Sequence, residues 1–172
     1  MSNSLEDFAD QIRAALSADT GLVGKQAVCK IVAQFVLDQD FINTHLTTRA
    51  PGEPTREILY EDSQLGFCIC GHVFSEGQNV PPHDHGSTWA IYGQATGQTV
   101  MTDWDVVHPG SATQPKQVVA KGPAYALNPG DAHLYDVGAV HSLLRDQPVK
   151  TIRIEGANVD DLQRSKIVKA SP

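Results

Sequence analysis

Apolar positions in the first forty-odd residues follow the helical period. Leu5, Phe8, Ile12 and Leu16 recur at spacings of three and four, with Glu6 and Asp7 in the opening turn, which predicts an amphipathic helix. Gly21 and Gly24 break that stripe. Val28, Ile31, Val32, Phe35 and Val36 then set a second one that runs out near Asp38. From Ala50 onward the pattern changes to short apolar runs at Ile58–Tyr60, Phe67–Phe74, Trp89–Tyr92, Thr99–Trp104, Gln117–Ala120, Tyr125–Leu127, Leu134–Tyr135 and Val149–Ile154. Turn signals such as His108-Pro109-Gly110 and Asn128-Pro129-Gly130 separate them. Many short strands predict a sandwich or barrel. Two helices cannot make a core of their own, so they are expected on its outside, within a single domain spanning 1–172: a helical segment over 1–45 and a β unit over about 50–160.

Composition narrows the function. The chain has 172 residues, 41% of them hydrophobic and 19% charged, as in an ordinary globular protein. Its formal charge of −7, with no basic patch, argues against nucleic acid and anionic lipid as partners. No apolar stretch approaches the roughly 18 residues of a membrane span, and the N-terminus lacks a signal pattern, so a cytoplasmic protein is expected. Cys29, Cys68 and Cys70 are too few for a disulfide framework, and Cys68 and Cys70 read as small core residues on one strand face.

The chemistry concentrates in histidine. In Pro81-Pro82-His83-Asp84-His85-Gly86, strand alternation would send His83 and His85 to one face and Asp84 away, so that one metal takes both imidazoles. The order reads Gly77-x5-His83-x-His85-x4-Ala90-x6-Gly97, and downstream Gly130-x5-Asp136-x-Gly138-x2-His141. These spacings resemble the two motifs of the cupin superfamily over about Thr55 to Glu155. The resemblance implies an all-β jelly-roll (double-stranded β-helix) barrel with the N-terminal α-helices outside, and a metal held by His83, His85 and His141. Ala90 stands where the family has a glutamate ligand, Asp136 where it has Pro and Arg145 where it has Asn; the last two departures are expected to touch loop geometry more than chemistry. Three neutral imidazoles suit Fe, Zn, Cu or Ni, and the uncancelled +2 charge favours an anionic substrate. His133, also close to a Gly-Asp turn, is the rival third ligand; otherwise it lines the cavity or is structural. His45, His72 and His108 match nothing and are read as structural or exposed.

Within cupins, Thr55-Arg56-Glu57, the Phe67–Phe74 strand, His83-Asp84-His85 and His141 resemble the cysteine dioxygenase type of thiol dioxygenase. That resemblance implies Fe(II) on three histidines, O2 as co-substrate, a small thiol carboxylate oxidised to a sulfinic acid, and Arg56 as the fork that meets the carboxylate. On the residues alone, Arg56 is equally a surface partner of Glu53 or Glu57. The Ser-His-Tyr relay of that family is replaced by Thr151, Arg153 and Glu155. If these face inward, Arg153 and Glu155 form a charge pair, or an anion clamp plus general base, beside the metal; if outward, they are solvated. Trp89 and Tyr92 read as barrel core, with Tyr92 alternatively a replacement for the missing tyrosine.

Three functions follow as expectations. The first is an Fe(II) dioxygenase acting on a small carboxylate-bearing substrate that need not be a thiol. The second is a non-redox enzyme, an isomerase or hydrolase on Zn, Mn or Ni, with Glu155 moving protons. The third is a ligand-sensing barrel without turnover. A monomer or homodimer fits each.

Overall fold

The structure, a computed structural model, describes residues 4–171. Helix α1 (Leu5–Ala18) starts where Ser4 and Asp7 close a capping box: the Asp7 amide donates to Ser4 Oγ at 3.0 Å and the Ser4 amide to Asp7 Oδ2 at 3.2 Å. Its stripe of Phe8, Ala9, Ile12 and Leu16 is buried, as the spacing predicts. Helix α2 (Leu22–Phe35) begins one residue after Gly21, and Gly24 lies inside its first turn instead of breaking the chain. A Cβ at Gly24 would come within 1.7 Å of the Asp19 carbonyl oxygen, so this glycine serves the close approach of the end of α1 to α2. Helix α3 (Gln39–His45), capped by the Asp38 side chain accepting from the Phe41 amide at 3.0 Å, is too short for a periodic stripe to announce it. Phe8 stacks on Phe35 at 4.1 Å between ring centroids, and Phe41 meets both edge-on at 5.5 and 5.4 Å.

The strands are β1 (Arg56–Glu61), β2 (Cys68–Phe74), β3 (Gln78–His83), β4 (Ala90–Thr96), β5 (Thr99–His108), β6 (Lys116–Ala120), β7 (Tyr125–Leu127), β8 (Ala132–Tyr135), β9 (Val140–Arg145), β10 (Val149–Glu155) and β11 (Ile167–Lys169). They form two sheets, ordered β1-β2-β10-β4-β8 and β11-β6-β5-β9-β3, with β7 added against β5. The chain passes back and forth between sheets, β2, β4, β8 and β10 belonging to one and β3, β5, β6 and β9 to the other, which is the double-sheet jelly roll expected. The helices pack outside it. The second sheet continues past residue 160, where β11 pairs in parallel with β6. Strand β3 carries Pro81 and Pro82 and lies at a sheet edge, where missing amide donors are tolerated; its register with β9 shifts between Val80 and His83.

The first sheet separates two environments. Ile69 and Val73 of β2, Ile91 and Ala95 of β4, and Ile152 and Ile154 of β10 face the helices in one buried apolar cluster. A Cβ at Gly93 would strike Val32 of α2 at 2.4 Å, so this glycine lets the helix lie directly on the sheet. The alternate residues of the same strands face the barrel interior: Cys68, Cys70 and His72, then Ala90, Tyr92 and Gln94, then Thr151, Arg153 and Glu155, all buried. Cys68 and Cys70 are thus small interior residues on one strand face, and burial raises both thiols, to about 11 and about 12.

Candidate metal centre

His83 ends β3 and pairs across the ladder with His141 on β9, so register alone brings these imidazoles together, with ring centroids 4.4 Å apart. His85 lies beyond the end of β3, not on it, and turns inward through the bend that follows. Its ring is 5.6 Å from that of His83 and 4.9 Å from that of His141. One ligand atom from each of the three falls within 4.8 Å of the others. Asp84 does turn away from this cluster, but into a second buried contact: it accepts from Lys116 Nζ at 3.0 Å, the Gly86 amide at 3.1 Å and the Ser165 amide at 3.3 Å. Burial opposes its ionisation, yet these bonds hold its carboxyl at about 2, and it pins the histidine loop to the segment before β11.

The donor set suits a divalent transition metal. The Pro81 carbonyl takes His83 Nδ1 at 2.9 Å, which fixes the ring and leaves Nε2 for a ligand. Burial is the main cause that keeps the three imidazoles neutral: His85 is lowered to about 3, helped by the charge of Arg153, and His141 lies well below its ordinary value. His83 is lowered as well. Neutral imidazole is the metal-binding form. Among the described residues, no carboxylate joins them.

Tyr92 reaches this cluster from β4. Its hydroxyl lies 3.1 Å from His85 Nε2 and 3.4 Å from His141 Nε2, and it accepts from Arg153 at 3.4 Å. Arg153 sits opposite Tyr92 in the β10–β4 ladder, and Glu155 opposite Ala90, so both point inward and the solvated alternative is excluded. Glu155 accepts from Arg153 Nε at 2.7 Å, from a second Arg153 nitrogen, from Arg56 at 2.8 Å and from the Val159 amide at 3.2 Å. Burial works against its charge, but the two guanidiniums outweigh burial and lower its carboxyl.

Arg56 has neither of the surface partners foreseen for it. Glu57 pairs with Arg49, and Glu53 accepts from the Ala50 amide. The Arg56 guanidinium instead binds Glu155, Asn158 at 3.0 Å and Asp160 at 2.6 Å. His133 stands outside the three-histidine group, its Nε2 3.4 Å from the Tyr125 hydroxyl. Between His133 and the cluster lies Tyr135, stacked on His141 at 3.9 Å and joined through Tyr125 at 2.8 Å to Asp103 at 2.9 Å. The sequence reading missed this wall of phenols. Its signal was present, since Tyr125 and Tyr135 each fall in a short strand run, but only the β5–β9 register puts Asp103 opposite His141. Trp89 packs at the margin of the outer apolar cluster.

No family model matches the chain, and no curated protein matches it. Solved structures similar to it include a conserved protein with a double-stranded β-helix domain from Klebsiella pneumoniae, 16% identical, covering 72% of this chain and 87% of that one with a TM-score of 0.49. A cupin superfamily protein from Desulfitobacterium hafniense is 15% identical over 63% of this chain and 81% of its own, with a TM-score of 0.45. KdgF from Halomonas sp. is 17% identical over 66% and 91%, with a TM-score of 0.46.

Proposed function

We propose that this chain is a cysteine dioxygenase-like, Fe(II)-dependent enzyme that adds O2 to a small carboxylate-bearing substrate, with His83, His85 and His141 as the metal ligands. The observation that carries this reading is the three-histidine cluster, two of its members buried and His83 half-buried, with a phenol hydroxyl, Tyr92, against His85 and His141. Iron held by these three imidazoles would supply redox chemistry with dioxygen. For a thiol the balance is one RSH and one O2 giving one RSO2H, both oxygen atoms ending on sulfur.

The chain's own residues have distinct parts in this. Arg153 donates to the Tyr92 oxygen, which leaves the phenol proton free to point at the histidine side and at whatever binds there. Glu155 holds Arg153 and, with five donors on its carboxylate, serves here as an anchor for the two guanidiniums. Tyr135 and the outer phenols close the far side of His141. Arg56, already bound to two carboxylates, is an unsuitable clamp for a third.

Oxygen uptake by the iron-loaded protein against a panel of thiol carboxylates and related acids tests the proposal. Uptake should require both iron and His141, and His141→Ala should lose metal and activity together. Stoichiometric iron without uptake on any member of the panel would overturn it.

A further inference from the structure

Arg145 ends β9 with its side chain directed into the barrel and is 4% exposed. Its Nε donates to Thr99 Oγ1 at 3.2 Å and one terminal nitrogen to Gln78 Oε1 at 2.9 Å, while the guanidinium lies 4.3 Å over the Phe74 ring. All three partners are neutral, and two of the five N–H donors of a guanidinium are accounted for. Arg13, Arg49, Arg56 and Arg153 each hold a carboxylate; among the described residues Arg145 holds none. A buried cation without a counter-charge is costly, and burial lowers this guanidinium to about 10.

The surroundings of Arg145 form one polar row around the end of the barrel away from the histidines. Thr99 passes its hydroxyl proton to Gln94 Oε1 at 2.9 Å, and Gln94 Nε2 donates to the Thr96 carbonyl at 2.8 Å, so these side chains have little left to offer the guanidinium. Gln94 is level with Thr151 and Thr151 with His72 across the sheet. His72 is buried, not exposed, and its Nε2 has no hydrogen-bond partner among the described residues. An unpaired guanidinium and an orphaned imidazole nitrogen thus face the same interior. The carboxylate buried on that inner face, Glu155, is already shared by Arg153 and Arg56.

We propose that Arg145, flanked by Thr99 and His72, is the subsite for the carboxylate of a small organic acid inside the barrel. A planar guanidinium meets a carboxylate with two parallel hydrogen bonds, and the acid supplies the charge the chain omits. That this acid is the substrate rests on the proposed function; the subsite itself does not need the metal. The reading also explains why Arg56 can be spent on Glu155.

Thermal melting and calorimetric titration of chelator-stripped protein with sodium acetate, against sodium chloride at equal ionic strength, test it. Acetate should raise the melting temperature saturably and chloride should not. Arg145→Met should weaken acetate at least ~30-fold, the loss expected from truncating one partner of a buried charge pair, and should melt no lower than the parent without acetate. Arg145→Lys should bind acetate more weakly than the parent. Equal stabilisation by chloride, an unchanged acetate effect in Arg145→Met, or a variant that unfolds at any acetate concentration would each overturn the subsite and assign Arg145 a purely structural role. Acetate binding with no oxygen uptake by iron-loaded protein would leave the subsite and remove the oxygenase; uptake without acetate binding would do the reverse.

Discussion

The two faces of the sheet that contains β2, β4 and β10 are built from the same strands and differ in everything else. Toward the helices lie Ile69, Ile91, Ile152 and Ile154, with no polar group to satisfy. Toward the barrel lie Cys70, Tyr92, Arg153 and Glu155, one residue away in each case and buried as well. The first face gains stability from burial and demands only shape. The second spends stability on desolvating charges and recovers it only when each charge finds its partner, which makes it selective for what enters. A period of two thus divides one strand between holding the fold and doing chemistry.

Acid should separate the faces most strongly. His72, His83, His85 and His141 are all depressed, mainly by burial, from an ordinary value of 6.5, His85 to about 3. Because the folded value is the lower one, the unfolded chain takes up the proton first, and stability present above about pH 6.5 is lost as pH falls toward 3. In metal-stripped protein the slope should reach roughly 1.4 kcal/mol per pH unit for each histidine involved, measured by urea denaturation across pH. A flat profile between pH 7 and 5 would mean that the interior is wetter than the structure shows.

Breaking the inner ion network comes next. Glu155→Ala leaves Arg153 buried without a carboxylate and should cost about 3–5 kcal/mol, read from denaturant midpoints, whereas Glu155→Gln should lose less because the amide oxygen still accepts. On the outer face Ile154→Ala should cost about 2–5 kcal/mol by emptying space between sheet and helices, and should leave metal stoichiometry unchanged. Metal loss in Ile154→Ala would show that the two faces are coupled after all. Smallest is Ser4→Ala, which removes the α1 cap for about 0.5–2 kcal/mol and should not alter the pH profile.

Much of the outer face was legible in the chain. The stripe through Phe8, Ile12 and Leu16 has a helical period and nothing else to satisfy, and each apolar run after Ala50 shows a strand through composition and turn residues. That His83, His85 and His141 would come together was legible through the resemblance of their spacing to the cupin motifs, whereas the residues alone offered His83 and His85 by strand alternation and left His133 as a rival to His141. The pairing of Glu155 with Arg153 was one of the readings that strand alternation offered, but its second cation, Arg56, is 99 residues away and no local pattern records that pairing. Arg145 was passed over for the same reason. In sequence it is a departure from a motif at the end of a strand; in space it is a buried guanidinium among neutral partners.

Local order along the chain therefore decided the elements, the helices outside and the histidine spacing, since hydrophobic periodicity and turn chemistry act over a few residues. Register between strands decided which charges meet, which phenol reaches the histidines and which buried guanidinium has no carboxylate partner among the described residues. The physical reason is range: burial and backbone preference are properties of neighbours, whereas the energy of a buried charge depends on its distance from partners that only the closed barrel brings near.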